Sequence, residues 1–200
     1  MTDQAAVIDE MIGAHQIRSA LARYCRGVDR RDSELLRTIY HPDAVDDHGW
    51  GLSASGFEFA ESVNNPEILG YPCEITQHHI TSTYIDIRGE RAVSEAYFLS
   101  LQRVTDADGG LWDVFCGGRY ADQWERRSGE FKITKRSVIY DWVRTDEVKT
   151  MWPGPDHSVP KMLPDTPEIP GESTIWGEPS TTDPSYALLE IASPVTRASS

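Results

Sequence analysis

A carboxylate, an imidazole and a guanidinium stand on three separate segments of this chain: Asp29, His79 and Arg136. Together they are equipped for proton transfer. A neutral imidazole takes a proton from carbon or from a hydroxyl. A carboxylate on its other nitrogen fixes the tautomer and stabilises the imidazolium. A guanidinium holds a departing hydroxide or halide, or a developing oxyanion. Tyr24 and Tyr40 stand among the apolar positions of two helical segments. Each residue also has a plain structural reading: Asp29 as a turn cap, the tyrosines as ordinary core, and His79 as a structural strand histidine. Only the combination points to chemistry.

Other chemistries find less support. His41, Asp43, Asp46, Asp47, His48, His78 and His79 are ligand types, but they lack the tight spacing of a metal site. Asp46, Asp47 and His48 read as a solvated turn, with His48 at a pocket rim. Gly109-Gly110 and Gly117-Gly118 read as a hairpin and a bend rather than a phosphate loop. Gly-x-Ser-x-Gly is absent, and Cys25 has no evident base beside it. The expectation is therefore a site without metal or cofactor.

The elements that must carry these groups fall into two grammars. Ile17, Leu21, Tyr24 and Val28 lie at i, i+4, i+7 and i+11, one apolar stripe of a helix that ends near Asp29. Gly13 is a candidate break between this helix and a weaker lead-in holding Val7, Ile8, Met11 and Ile12. Asp32 or Ser33 can cap a second short helix that buries Leu35, Leu36, Ile39 and Tyr40. His41 to Gly51 is turn-rich and leads to a short strand, and Phe57 to Val63 suits a third helix. From Cys73 the pattern changes. Four β-rich runs, Ile75 to Ile87, Arg91 to Thr105, Leu111 to Glu125 and Phe131 to Thr145, are joined by short glycine turns. They predict an antiparallel meander of long, strongly curled strands.

Helices followed by a curved sheet give an α+β fold, with the sheet folded over the long helix as a cone. Alternation puts His79, Thr81, Thr83, Ile85 and Ile87 on one face and His78, Ile80, Ser82 and Tyr84 on the other. In the last strand Arg136, Val138, Tyr140 and Trp142 share a face. Ile133 and Ile139 make the opposite face partly apolar as well.

The segments RYCRGVDRRD, YHPDA from Tyr40, His79 within its strand, and GGRYADQWERRSGEFKITKR carry a resemblance. Over roughly residues 12–145 the chain resembles the SnoaL-like branch of the nuclear-transport-factor-2-like superfamily. The pattern is most similar to cofactor-free lyases: hexachlorocyclohexane dehydrochlorinase, bile acid dehydratase and, more loosely, scytalone dehydratase and diarylpropane lyases. The resemblance implies a conical barrel around a small hydrophobic substrate, and a homo-oligomer, trimer or dimer. It maps the catalytic roles onto Asp29, His79, Arg136 and Tyr24, with Tyr40, His48, Tyr97, Tyr140 and Trp142 as substrate-contacting candidates. It implies loss of water, HX or a small aldehyde from an aromatic or alicyclic molecule. The alternatives are an isomerase or cyclase, a binding module, or a dioxygenase small subunit. The deciding geometry is Asp29 within hydrogen-bond reach of His79, both opening into one cavity with Arg136; an outward His79 would favour the binding module.

Bulk properties bound the rest. Two hundred residues suit one domain, read as 1–148, plus a proline-rich arm, 149–200. In that arm SYALLEIA, Trp152 and Trp176 are expected to dock somewhere. The net charge of -13 argues against nucleic acid and anionic membranes. No apolar run approaches the ~20 residues of a membrane span. The acidic start lacks signal-peptide character, and Cys25, Cys73 and Cys116 suggest reduced thiols. A cytoplasmic protein is expected.

Overall fold

The computed structural model describes residues 4–49, 53–65, 73–148 and 177–189. Helix α1 runs unbroken over Gln4–Asp29. The stripe read from spacing is its buried face: Ile17, Leu21 and Tyr24 are buried with Ala20, and Val28 packs at the edge of the same cluster. Gly13 does not break the helix. A Cβ there would lie 2.9 Å from the Phe131 ring and 3.0 Å from Ile87, so glycine lets the helix settle directly on the sheet. The apolar lead-in residues Val7, Ile8, Met11 and Ile12 stay exposed.

Two short helices follow. α2, Ser33–Arg37, is capped by Asp32, whose carboxylate accepts from the Leu35 N–H at 2.9 Å. α3, Gly56–Ser62, opens with a capping box between Ser55 and Glu58.

The strands are β1 Tyr40–Asp47, β2 Ser53–Ser55, β3 Cys73–Arg88, β4 Arg91–Thr105, β5 Leu111–Arg127 and β6 Glu130–Glu147. They form one curved six-stranded sheet in the order β2-β1-β6-β5-β4-β3. β3 to β6 are the expected antiparallel meander. β1 departs from it: the turn-rich segment is a strand that joins β6 in parallel. The sheet is open, since β2 and β3 are its two edges. α1 packs against β3 and β6, so the sheet arches over the helix as an open cone.

Bulges decide which side chains face the inside of that cone. In β3, Ile80 pairs with Phe98 and Thr83 with Ala96, so two residues on β3 span the place of one on β4. One extra residue reverses the facing of everything beyond it. Ile85 and Ile87, beyond the bulge, pack on the core as alternation predicts. Before the bulge it is His78 and Ile80 that face inward. In β6, Gly118 pairs with Tyr140 and Gly117 with Trp142, leaving Asp141 as the extra residue. Tyr140 faces inward and Trp142 outward. The paired glycines are required here: a Cβ on Gly117 would lie 2.4 Å from the Trp142 ring, and one on Gly118 2.2 Å from the Ile139 carbonyl oxygen. The bend expected at Gly117-Gly118 is this bulge.

Part of the arm is described. Asp183 caps a short helix α4, Pro184–Leu188, which docks where α1 ends. Tyr186 donates to Asp32 at 2.7 Å, Arg26 lies 4.2 Å over the Tyr186 ring, and Arg30 pairs with the buried Asp183 at 3.2 Å. Trp152 and Trp176 lie outside the described residues.

Candidate functional site

The cone holds a cavity whose wall is largely apolar, with Val28, Phe59, Val63, Phe98 and Val138 among its lining. Into it project Tyr24, His48, His78, Tyr120 and Tyr140.

Asp29 closes α1 and is 8% exposed. Its Oδ1 lies 2.7 Å from His78 Nδ1, and its Oδ2 accepts from the His78 backbone N–H at 3.0 Å. The carboxylate thus grips one residue twice. It fixes the ring as the Nδ1–H tautomer and leaves Nε2 with its lone pair. This is the geometry of a general base. The imidazole that meets Asp29 is His78, not His79. His79 pairs with Leu99 on the outer face and is exposed. The cause is the β3 bulge: counting back from Ile87 and Ile85 by twos lands on His79 only if the ladder is regular.

A second pair stands on the opposite wall. Asp46 is 1% exposed, and its Oδ1 contacts His48 Nδ1. Tyr40 donates to its Oδ2 at 2.6 Å. His48 Nε2 lies 3.0 Å from the Tyr24 hydroxyl, and the His48 ring stacks on Phe59 with centroids 4.3 Å apart. Burial alone would raise the Asp46 carboxyl, but the facing imidazole and Arg136 hold it below the ordinary carboxylate value. The solvated turn expected around Asp46 is therefore a strand end, and Asp46 is core. Tyr40 sits behind Asp46 and does not line the cavity.

Arg136 faces inward as expected but does not reach the cavity. It is fully buried, donating from Nε and Nη2 to the two Asp122 oxygens, each at 2.8 Å. Its guanidinium is sandwiched 4.1 Å from the Tyr24 ring centre and 4.3 Å from that of Tyr120. Asp122 stands directly across from it on β5. Burial raises the Asp122 carboxyl against the pull of Arg136. Burial likewise pushes the Tyr24 hydroxyl far above the ordinary phenol value, again opposed by Arg136. Tyr24 is therefore a neutral donor whose ring rests on a cation. The cation that does line the cavity is Arg31, at positive φ in the turn after α1, donating to the Cys73 carbonyl.

The remaining candidates divide. Tyr140 lines the cavity with Phe98 at its side. Tyr97 and Trp142 are exposed on the outer face, Tyr97 beneath Arg119 and Trp142 turned out by the β6 bulge. Burial lifts the Cys25 thiol to about 12, which removes it as a nucleophile. The cysteines are free. His41 bonds the Glu125 carbonyl and Asp43 pairs with Arg127. Among the described residues no three His, Cys, Asp or Glu side chains converge as metal ligands.

N-terminal helices under an open, curved six-stranded sheet make this the conical nuclear-transport-factor-2-like fold. Within it, this chain belongs to the SnoaL-like domain family, whose profile matches residues 10–137. The structure is similar to a hexachlorocyclohexane dehydrochlorinase (LinA) type 2, at 18% identity and a TM-score of 0.63, covering 78% of this chain and 99% of that one. It is similar to the LinA-type3 dehydrochlorinase of Novosphingobium barchaimii LL02, at 18% identity and TM-score 0.61, covering 72% and 95%. It also resembles a scytalone dehydratase-like protein of Novosphingobium aromaticivorans, at 18% identity and TM-score 0.59, covering 69% and 90%. At these identities the likeness is one of fold. No curated protein matches the sequence. No described helix is long and apolar enough to cross a membrane.

Proposed function

We propose that the chain is a cofactor-independent lyase that removes water, HX or a small aldehyde from an aromatic or alicyclic molecule. The observation that carries this reading is the Asp29–His78 pair in an apolar cavity. His78 Nε2 abstracts the proton, and Asp29 stabilises the imidazolium that results. The Tyr24 hydroxyl meets the substrate's oxygen, and the apolar wall strengthens each of these contacts by excluding water. Arg136 takes no direct part; it holds Tyr24 and Tyr120 in place from beneath. Dehydrochlorinase and dehydratase neighbours of the same fold support the reaction class.

The test is a panel of β-hydroxy and β-halo aryl and alicyclic compounds, without added cofactor, monitored for a new conjugated chromophore. Turnover that disappears in His78→Ala supports the reading. A second reading, a binding module, draws on the outward-facing His79 and on the withdrawal of Arg136 from the cavity. It predicts ligand uptake without turnover.

We place the protein in the cytoplasm as a homo-oligomer, dimer or trimer. Tyr84, Tyr97, Leu99, Trp142 and Val143, exposed on the sheet, support the assembly. Light scattering on the purified chain decides it, a monomer refuting it.

A further inference from the structure

We propose that Asp46 and His48 form a second acid–base pair, which reloads the Tyr24 hydroxyl as that hydroxyl gives its proton to a departing oxygen. This rests on the lyase reading and adds the acid to its base.

Four observations lead there. First, both His48 ring nitrogens are engaged, Nδ1 by Asp46 and Nε2 by Tyr24. His48 therefore reaches substrate chemistry only through the Tyr24 hydroxyl. Second, Asp46 has its other oxygen fixed by Tyr40 and is itself fully enclosed. An enclosed carboxylate is disfavoured by its lost hydration unless a cation faces it. Third, Arg136 gives Nε and Nη2 to Asp122, and the side chain in direct contact with Asp46 that can carry a positive charge is His48. Fourth, Tyr24, His48 and His78 all line the same cavity, and the Tyr24 ring meets that of His78 edge-on at 6.3 Å. The acid and the base therefore flank one space.

In the elimination of water, His78 Nε2 takes a proton from carbon and the C–H electron pair becomes the new C=C bond. The C–O bond breaks with its pair going to oxygen. Tyr24 gives that oxygen its proton, and His48 Nε2 passes its own proton to Tyr24. Water leaves, His78 ends protonated and His48 neutral, and exchange with solvent restores both. Tyr24 touches the substrate; His48 and Asp46 act through it.

Leaving-group chemistry separates this role from a structural one, because chloride departs without a proton and hydroxide does not. The probes are 3-hydroxy-1-phenylpropan-1-one and 3-chloro-1-phenylpropan-1-one, which give the same conjugated enone. A positioned general acid contributes ~10²–10⁴-fold. We therefore expect His48→Gln and Tyr24→Phe each to raise the chloro-over-hydroxy ratio of kcat/KM by about 10²-fold or more over the native chain. His78→Ala should lower both rates together. A ratio unmoved by both His48→Gln and Tyr24→Phe, in folded variants, overturns the relay while leaving the lyase reading intact. Native protein that turns over neither probe, or His78→Ala that turns over both as well as native, overturns the lyase reading and the relay with it.

Discussion

The two carboxylate–imidazole pairs of the cavity use the same parts to opposite ends. Asp29 holds His78 by one ring nitrogen and by its backbone amide, leaving the far nitrogen unclaimed. Asp46 and Tyr24 claim both nitrogens of His48. Asp29 sits at a helix end, 8% exposed, whereas Asp46 at 1% lies enclosed beside a buried arginine cluster. The first arrangement leaves a ring nitrogen open to a bound molecule. The second leaves none, so His48 meets the cavity's chemistry through the Tyr24 hydroxyl. Environment, not residue type, separates the roles, as it must when two identical side chains share one site.

That contrast can be broken in order of expected effect. His78→Ala removes the free nitrogen and is expected to lower kcat/KM by ~10²–10⁴-fold. The circular-dichroism spectrum should stay native, although loss of the enclosed ring, 8% exposed, leaves a space behind it. Asp122→Ala attacks the floor beneath the second pair and leaves the Arg136 charge enclosed and unpaired. Breaking a buried pair in this way costs about 3–5 kcal/mol, to be read from urea midpoints at constant m-value. Asp29→Asn keeps the shape but loses a hydrogen bond to a charged partner. Such bonds contribute about 1.5–3 kcal/mol, or roughly 10–100-fold in rate. Equal rates in this variant would make Asp29 purely structural.

Acid should distinguish the pairs more gently. Against the pull of burial, the Asp46 carboxyl is lowered in the folded chain from the ordinary carboxylate value of 3.8 by His48 and Arg136. Its ionised form thus contributes stability that is fully present above 3.8 and is lost as pH falls through the lower folded value. Asp46→Asn should flatten the stability-versus-pH curve in that acid window; an unaltered curve would show that Asp46 is not held in this way. The smallest effect sharpens the comparison most. His79→Ala, next door to the base, should leave turnover within about twofold, as for a surface substitution. A large loss would show that the facing of β3 had been misassigned.

Much of this was legible beforehand. The stripe on α1, its end near Asp29 and the four-strand meander follow from spacing and turn chemistry, whereas Tyr24, His48 and Tyr140 enter as site candidates through the family resemblance. The misassigned faces of β3 and β6 have one source. Alternation assigns faces only while the ladder is regular, and β1, β3 and β6 each carry a register shift. Gly117-Gly118 announced the shift in β6 without saying which strand held the extra residue. Thr81 and Ser82 announced nothing. Asp46 looked like turn composition because the parallel pairing of β1 with β6 is a long-range event with no local signature. Arg136 was correctly turned inward. Its partner, Asp122, became visible only with the cross-strand register.

The extra residue at Thr81–Ser82 also has a bearing on how such a wall changes over time. Losing one codon there would remove the bulge and leave a regular ladder, with Ile80 still across from Phe98, Thr83 from Ala96, and His78 still facing inward. The wall thus holds a spare position where a deletion is absorbed without changing the row of groups offered to the cavity.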